Sequence, residues 1–363
     1  MLEILADLDR WQQEGAEIAL ATLVGVEGSA PRLPGARLLL TRSGKMAGSV
    51  SGGCVEGDVY ERALAVLDSG QPAVASYGID DEEGFRVGLS CGGTIRVLIE
   101  PFATCDAWQA LRRRVEAQEP AAFVAALTPA ALVGRKLTIL PDGSAVGSID
   151  PAADEEIGAE ARRWLREERT GTTTMPLRGK EMTLFVESFP PPPRLYIVGA
   201  THAAIALCQM AAKLGFRVTV IDARSMFATA ERFPEAEAVL RAWPDEALAD
   251  NVLDGYSYLA VLSHDPKFDL PALAAALRSD ARYIGAMGSR ATHARRLAEL
   301  RKQGFTDDDF ARIRAPIGLD IGGQKPEETA LAILAEMLAV RYGRDGTALS
   351  AKQAAIHAES ERQ

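Results

Sequence analysis

Apolar and polar positions follow two different rhythms along this chain, and the rhythm changes at Pro190-Pro191-Pro192-Pro193. Before the prolines, helical and strand-like patterns are mixed. Residues 2–14 place apolar side chains three and four apart, which predicts an amphipathic helix. Residues 19–26 and 37–41 read as strands, and a glycine turn at Ser43-Gly44-Lys45 follows the second. Helical spacing returns over residues 55–67 and ends near Gly70, and residues 94–99 predict a strand that stops at Pro101.

The rest of this region repeats the pattern. Gly35-Ala36-Arg37-Leu38-Leu39-Leu40 compares with Gly134-Arg135-Lys136-Leu137-Thr138-Ile139, Gly44 with Gly143, and Gly48-Ser49-Val50 with Gly147-Ser148-Ile149. The offset is 99 each time (134 − 35, 143 − 44, 147 − 48). A helical stretch follows in the second copy over residues 154–168, and strands at 95–100 and 182–187 close the two copies. A duplicated strand-strand-helix-strand unit is expected, with copies at about 1–102 and 103–189.

After the prolines, which favour an extended spacer, short apolar strands alternate with helices. Strands are expected over 195–198, 217–221, 258–262 and 281–284, and helices over 203–214, 270–278, 290–303 and 326–342. Such alternation implies a parallel sheet with helices on both faces. The expected fold class is therefore α/β: an N-terminal α+β domain over 1–189 with an internal duplication, a proline linker at 190–193, a C-terminal Rossmann-like, doubly wound domain over 194–345, and a polar tail over 346–363.

Composition narrows the function classes. A formal net charge of −10 argues against nucleic acid or an anionic membrane as the main partner. No apolar run is long enough to span a bilayer, and Met1-Leu2-Glu3-Ile4 does not open a secretory leader, so a cytoplasmic protein is expected. The four cysteines, Cys54, Cys91, Cys105 and Cys208, contain no Cys-x-x-Cys and are too few for a disulfide framework. With the histidines dispersed, a structural zinc is not expected.

Two of those cysteines stand in mirrored contexts, Ser51-Gly52-Gly53-Cys54 and Cys91-Gly92-Gly93. A glycine pair lets the backbone turn sharply and lets a ligand approach it. A thiol there can be an exposed nucleophile or a soft ligand, and Cys54 just before a helix also meets the positive end of the helix dipole. The bland alternative is two small buried cysteines. The repeat acts as a control: the second copy has Asp150-Pro151-Ala152-Ala153 where the first has Ser51-Gly52-Gly53-Cys54, and Leu177-Arg178-Gly179 where it has Cys91-Gly92-Gly93. If the fold forms without the thiols, they serve something else. Cys54 and Cys91 are the candidate contacts to a metal-sulfur centre.

Further candidates lie at strand ends of the C-terminal region. Gly199-Ala200-Thr201-His202 occupies the place of the dinucleotide fingerprint, with Asp222 at the end of the next strand where a ribose-binding acid would sit. Thr201 stands where the second glycine would let a pyrophosphate approach, so a phosphate-bearing ligand is expected ahead of NAD(P). Gly288-Ser289-Arg290 forms a second turn suited to an anion. His264 and Asp265 follow a third strand, where a histidine could orient a ligand or move a proton.

Taken together, these motifs resemble the XdhC/CoxI family, the xanthine dehydrogenase accessory proteins. The resemblance rests on Gly28-Ser29-Ala30-Pro31-Arg32-Leu33-Pro34-Gly35, Ser51-Gly52-Gly53-Cys54-Val55-Glu56-Gly57, Cys91-Gly92-Gly93, Ser263-His264-Asp265-Pro266, Tyr283-Ile284-Gly285-Ala286-Met287-Gly288-Ser289-Arg290 and Ala315-Pro316-Ile317-Gly318-Leu319-Asp320-Ile321-Gly322. It departs at the first Rossmann turn, where the family commonly has Gly-x-Gly-His. The resemblance implies a maturation factor rather than a catalyst. Such a factor binds the molybdenum cofactor (molybdopterin, or its nucleotide form), shields it while a cysteine desulfurase installs the terminal sulfur, and delivers it to an apo molybdenum hydroxylase. A homodimer is compatible with this reading. The competing expectation is an NAD(P)-binding oxidoreductase using the Rossmann domain.

Overall fold

A computed structural model of the chain describes residues 1–78, 93–177, 179–249, 251 and 253–351. The chain divides into two units, Met1–Pro190 and Pro191–Gln363.

The first unit runs through the same seven elements twice. Its first copy is α1 (Leu2–Gln13), β1 (Ile18–Glu27), β2 (Arg37–Thr41), β3 (Met46–Gly48), α2 (Glu56–Ser69), β4 (Ala73–Tyr77) and β5 (Thr94–Pro101). Its second is α3 (Asp106–Glu116), β6 (Ala121–Ala126), β7 (Lys136–Ile139), β8 (Ala145–Gly147), α4 (Asp154–Glu167), β9 (Gly171–Leu177) and β10 (Lys180–Phe189). The two antiparallel sheets have matching strand orders, β3-β2-β1-β5-β4 and β8-β7-β6-β10-β9. The repeat is thus larger than the strand-strand-helix-strand unit expected. Each copy opens with its own helix and adds a short hairpin strand and an edge strand. Strand β3 is three residues long and partly exposed, so it carries almost no periodic signal. The Ala-rich β6 is buried at all six positions, against the weak strand preference of alanine.

Helices α1 and α3 lie within one core shared by the copies. Ile4, Leu8 and Trp11 of α1 meet Trp108 and Leu111 of α3, one face of the first sheet (Leu20, Leu39, Leu98) and one face of the second (Phe123, Phe185). The opposite faces are covered by α2, through Val59, Ala63 and Val66, and by α4, through Ile157, Ala161 and Trp164. Burial on both faces explains why eight consecutive residues of β1 are buried instead of every second one.

Two buried ion pairs cross between the copies. Arg37 on β2 holds Glu187 on β10 through both guanidinium arms, one at 2.9 Å, and both side chains are almost fully buried. Lys136 on β7 reaches Glu100 on β5 at 2.6 Å. Arg37 and Lys136 are equivalent in the repeat, again 99 apart (136 − 37). Each copy therefore supplies the base for the other copy's acid.

The second unit contains β11 (Arg194–Val198), α5 (His202–Lys213), β12 (Arg217–Ile221), β13 (Ala238–Leu240), α6 (Pro244–Ala249), β14 (Ser257–Val261), α7 (Pro266–Leu277), β15 (Tyr283–Ala286), α8 (Arg290–Lys302), α9 (Asp307–Phe310), β16 (Ile313–Arg314) and α10 (Pro326–Arg341). Its six strands are parallel in the order β13-β12-β11-β14-β15-β16. This is the doubly wound Rossmann arrangement, and the winding reverses between β11 and β14. Helices α6, α7 and α8 cover one face of the sheet, while α5 and α10 cover the other. Strand β15 runs to Ala286, so Gly285 lies inside the strand rather than at its end. A Cβ there would meet the Ile317 side chain at 2.5 Å, which explains the glycine by close packing. Among the described residues no helix is long and apolar enough to cross a membrane.

Candidate functional site

In the first unit, the turn that carries Cys54 is organised by one carboxylate. Glu56, the first residue of α2, folds back over the loop before it. It accepts hydrogen bonds from the Ser49 hydroxyl (2.6 Å), the Val50 amide (3.2 Å), the Ser51 amide (2.9 Å) and hydroxyl (2.5 Å), and the Gly53 amide (2.9 Å). The Ser51 hydroxyl oxygen in turn accepts from the amides of Cys54 and Val55, both at 3.0 Å. Partial burial works against the Glu56 charge, but the bonds from Ser49 and Ser51 outweigh it and hold the carboxyl at about 2. Gly52 and Gly53 have φ of 79° and 115°, a region that other residues reach only with strain. Cys54 stands exposed on this pinned loop. Cys208, by contrast, is buried in the second unit's core, and burial pushes its thiol up to about 11.

The second copy shows what the loop needs for folding alone. Asp154, the first residue of α4, accepts from the Ser148 hydroxyl (2.5 Å) and the amides of Ile149 (2.9 Å) and Asp150 (3.0 Å). The residues before the two helices share one conformation, φ −117°, ψ −2° at Val55 and φ −119°, ψ −10° at Ala153. Counting back from the helices pairs Cys54 with Ala152 and Gly53 with Pro151. The offset here is 98 (154 − 56), so the first copy's loop is one residue longer. Pro151 has no N–H, and the shorter Asp154 has no bond to make there. The longer loop, the longer carboxylate and the exposed thiol occur together, in the first copy only.

Gly93 lies against the same neighbourhood. A Cβ on it would fall on the carbonyl oxygen of Ser29, and a Cβ on Gly52 would lie 3.8 Å from Pro31. The segment of residues 28–35 therefore touches both glycine turns. Cys91 and Gly92 lie outside the described residues.

In the second unit, the predicted loops meet at the carboxyl ends of neighbouring strands. Gly199, with φ 99°, sits so close to the loop after β14 that a Cβ would lie 2.8 Å from the Ser263 nitrogen. The amides of the turn are used internally: Gly199 donates to Ile221 (2.9 Å), Ala200 to the Asp222 carboxylate (2.8 Å) and Thr201 to Gly199 (2.9 Å). Thr201 caps α5 by accepting from the Ala204 amide. His202, His264 and Asp265 are exposed, and Asp265 caps α7 by accepting from the Lys267 amide. Ser289 caps α8 by accepting from the Thr292 amide, next to Gly288, and leaves Arg290 exposed.

Asp222 does not present a carboxylate to solvent. It is fully buried, and its oxygens take the Ala200 amide and, from Arg224, the backbone amide (2.9 Å), Nε (2.9 Å) and Nη2 (2.7 Å). Burial raises its pKa, but these bonds, Arg224's first, win and hold it below the usual carboxylate range. A pair buried on both sides stitches the remaining loops. Arg296 on α8 holds Asp269 on α7 through Nε (2.9 Å) and Nη2, and donates to the Met287 carbonyl at 2.7 Å. It ties the turn before Gly288 to the helix that follows His264.

The comparisons with known proteins agree with this architecture. Residues 195–337 match the model of the XdhC Rossmann domain, and residues 11–78 match that of the XdhC and CoxI family. The chain belongs to the XdhC and CoxI family. It is 28% identical over 338 residues, 92% of this chain and 96% of the relative, to a protein of Bacillus subtilis (strain 168) named as a probable xanthine dehydrogenase subunit. It is also 28% identical over 331 residues, 91% of this chain and 86% of the relative, to the molybdenum cofactor insertion chaperone PaoD of Escherichia coli (strain K12). A crystal structure of a xanthine dehydrogenase from Bacillus halodurans superposes with a TM-score of 0.61 at 27% identity, covering 94% of this chain and 96% of that one.

Other residues of this family member escaped the sequence reading. Glu56 reads as an ordinary acidic residue at a helix start, and its helix-opening position just after a Ser-containing loop is the available signal. Arg224, two residues after the expected ribose acid, was readable from the Asp222-Ala223-Arg224 spacing. The Asp269–Arg296 pair joins residues 27 apart and had no local signal.

Proposed function

We propose that this chain is a molybdenum-cofactor chaperone. It holds the cofactor as cargo, protects it while a cysteine desulfurase supplies the terminal sulfur, and passes it to an apo molybdenum hydroxylase of the xanthine dehydrogenase type. One observation carries the reading. An exposed thiol stands on a loop fixed by five bonds to Glu56, and the internal copy of that loop folds without a thiol. A soft thiolate suits a molybdenum-sulfur centre. The loop's amides at Val50, Ser51, Gly53, Cys54 and Val55 are committed internally, so the donor set fits a ligand recognised by sulfur rather than by backbone N–H groups. The names of the relatives point the same way. Residues Gly52, Gly53, Cys54 and Gly93 would form the contact in the first unit. His202, His264, Ser289 and Arg290 would offer polar groups to an anion in the second.

The test loads the purified protein with molybdenum cofactor and follows both retention of the cofactor and activation of an apo hydroxylase. Cys54→Ser is expected to lose cofactor about tenfold faster while its thermal unfolding stays within about 1–2 °C of the wild type, as for a surface substitution. Wild-type retention in Cys54→Ser would remove the central support of the reading.

A further inference from the structure

We propose that the crevice of the second unit binds a nucleotide whose ribose carries a 2′-phosphate, and that Arg224 reads that phosphate. In a doubly wound sheet the residues at the end of the second strand meet the ribose of a bound nucleotide. An acid there takes the ribose hydroxyls, and a nearby arginine takes a 2′-phosphate. In this chain the acid is withdrawn. Asp222 is wholly buried and spends its oxygens on Ala200 and Arg224. A ribose diol has no carboxylate to bind.

The arginine is prepared instead. Its Nε and one Nη2 hydrogen form a fork onto both oxygens of Asp222, which fixes the plane of the guanidinium. The other edge, built from Nη1 and Nη2, faces away from Asp222, and the side chain is half exposed. The cation lies 4.5 Å from the Phe227 ring centroid and 5.5 Å from that of Phe268. Arg232 brings a second guanidinium within 5.3 Å of Phe227. Two cations converge on one ring in a chain of net charge −10, with Asp265 the further carboxylate acting on Arg224. Partly exposed aromatic surface surrounds them: Phe227, and Trp243 at 4.9 Å from Phe268. Flat faces beside a guanidinium fork suit a base next to a phosphomonoester.

The same turn disfavours a whole dinucleotide in the usual pose. Of the amides that could cradle a pyrophosphate, those of Gly199, Ala200 and Thr201 are already bonded, which leaves only the first turn of α5. The phosphorylated ribose end should therefore supply most of the affinity. That separates this site from a hydride-transfer site, where the pyrophosphate and nicotinamide must also be held. The inference concerns the second unit, whereas the thiol loop that carries the chaperone reading lies in the first, so the failure of one test leaves the other distinguishable.

Isothermal titration of the full-length protein tests it, with NADP+, NAD+ and adenosine 2′,5′-bisphosphate as probes. NADP+ is expected to bind at least about tenfold more tightly than NAD+, the range of a charge-assisted hydrogen bond. Adenosine 2′,5′-bisphosphate should come within about threefold of NADP+, since the turn's bonded amides leave the pyrophosphate few contacts. Arg224→Gln should abolish the preference by weakening NADP+ binding at least about tenfold. Because that variant strands a buried carboxylate, the double variant Asp222→Asn/Arg224→Gln is measured beside it, with thermal unfolding as the check on folding. Equal affinity for NADP+ and NAD+, no binding of the bisphosphate, or a preference that survives in the double variant would each overturn the proposal.

Discussion

A single methylene separates the two copies at the point that matters most. Glu56 and Asp154 open equivalent helices and anchor equivalent loops, but only the longer side chain also takes the amide three residues before it. Because its folded-state carboxyl sits at about 2, below the ordinary 4.5, Glu56 contributes stability above pH 4.5 that is lost as pH falls toward 2. The melting temperature of the wild type should therefore fall more steeply over that window than that of Glu56→Gln, when both are followed by circular dichroism. Parallel slopes would mean that the anchor does not contribute to stability. The sequence shows the thiol and its glycines plainly. It hides the anchor, because a glutamate at a helix start is common and its five hydrogen bonds become visible only when the loop is folded over it.

At the scale of elements, close approach and backbone conformation make different demands on glycine. Gly93 has an ordinary φ but no room, since a Cβ would collide with the Ser29 carbonyl. Gly53 has room but a φ of 115°. Gly93→Ala should cost about 3 kcal/mol or more, because main chain must move, and Gly53→Ala about 1–2 kcal/mol from the left-handed conformation. Urea unfolding of the two variants checks the order, and a reversed order would show that the segment of residues 28–35 yields easily. Most elements were legible. The alternation after the prolines gave strands and helices in the right order, since β11, β12, β14 and β15 are short apolar runs bounded by polar or glycine-bearing turns. Of the elements that escaped, β3 has three residues, β6 is mostly alanine, and β16 has two residues held by its neighbour β15, whereas α3 and β9 are long enough to carry a local pattern and were still not read.

Across the whole molecule, the repeat offset of 99 foretold a duplication, but not how the copies depend on each other. That dependence lies in Arg37–Glu187 and Lys136–Glu100, partners 150 and 36 residues apart that no periodicity could pair. Removing one member of a buried pair strands the other. Arg37→Met is thus expected to cost about 3–5 kcal/mol, and adding Glu187→Leu to recover most of it. Chemical denaturation of the single and double variants measures this, and purely additive losses would show that the two residues are not coupled.

The crossed pairs also set a timetable for synthesis. Arg37 leaves the ribosome 150 residues ahead of Glu187. At translation rates of roughly 5–20 residues per second, its carboxylate follows on the order of ten seconds later. In the later part of that interval the first copy is complete in sequence, yet its Arg37, which bonds within the copy to the Gly35 carbonyl, still lacks its carboxylate partner. The nascent half must stay open there, and the closing strand β10, the last of its unit to emerge, is what allows both halves to shut.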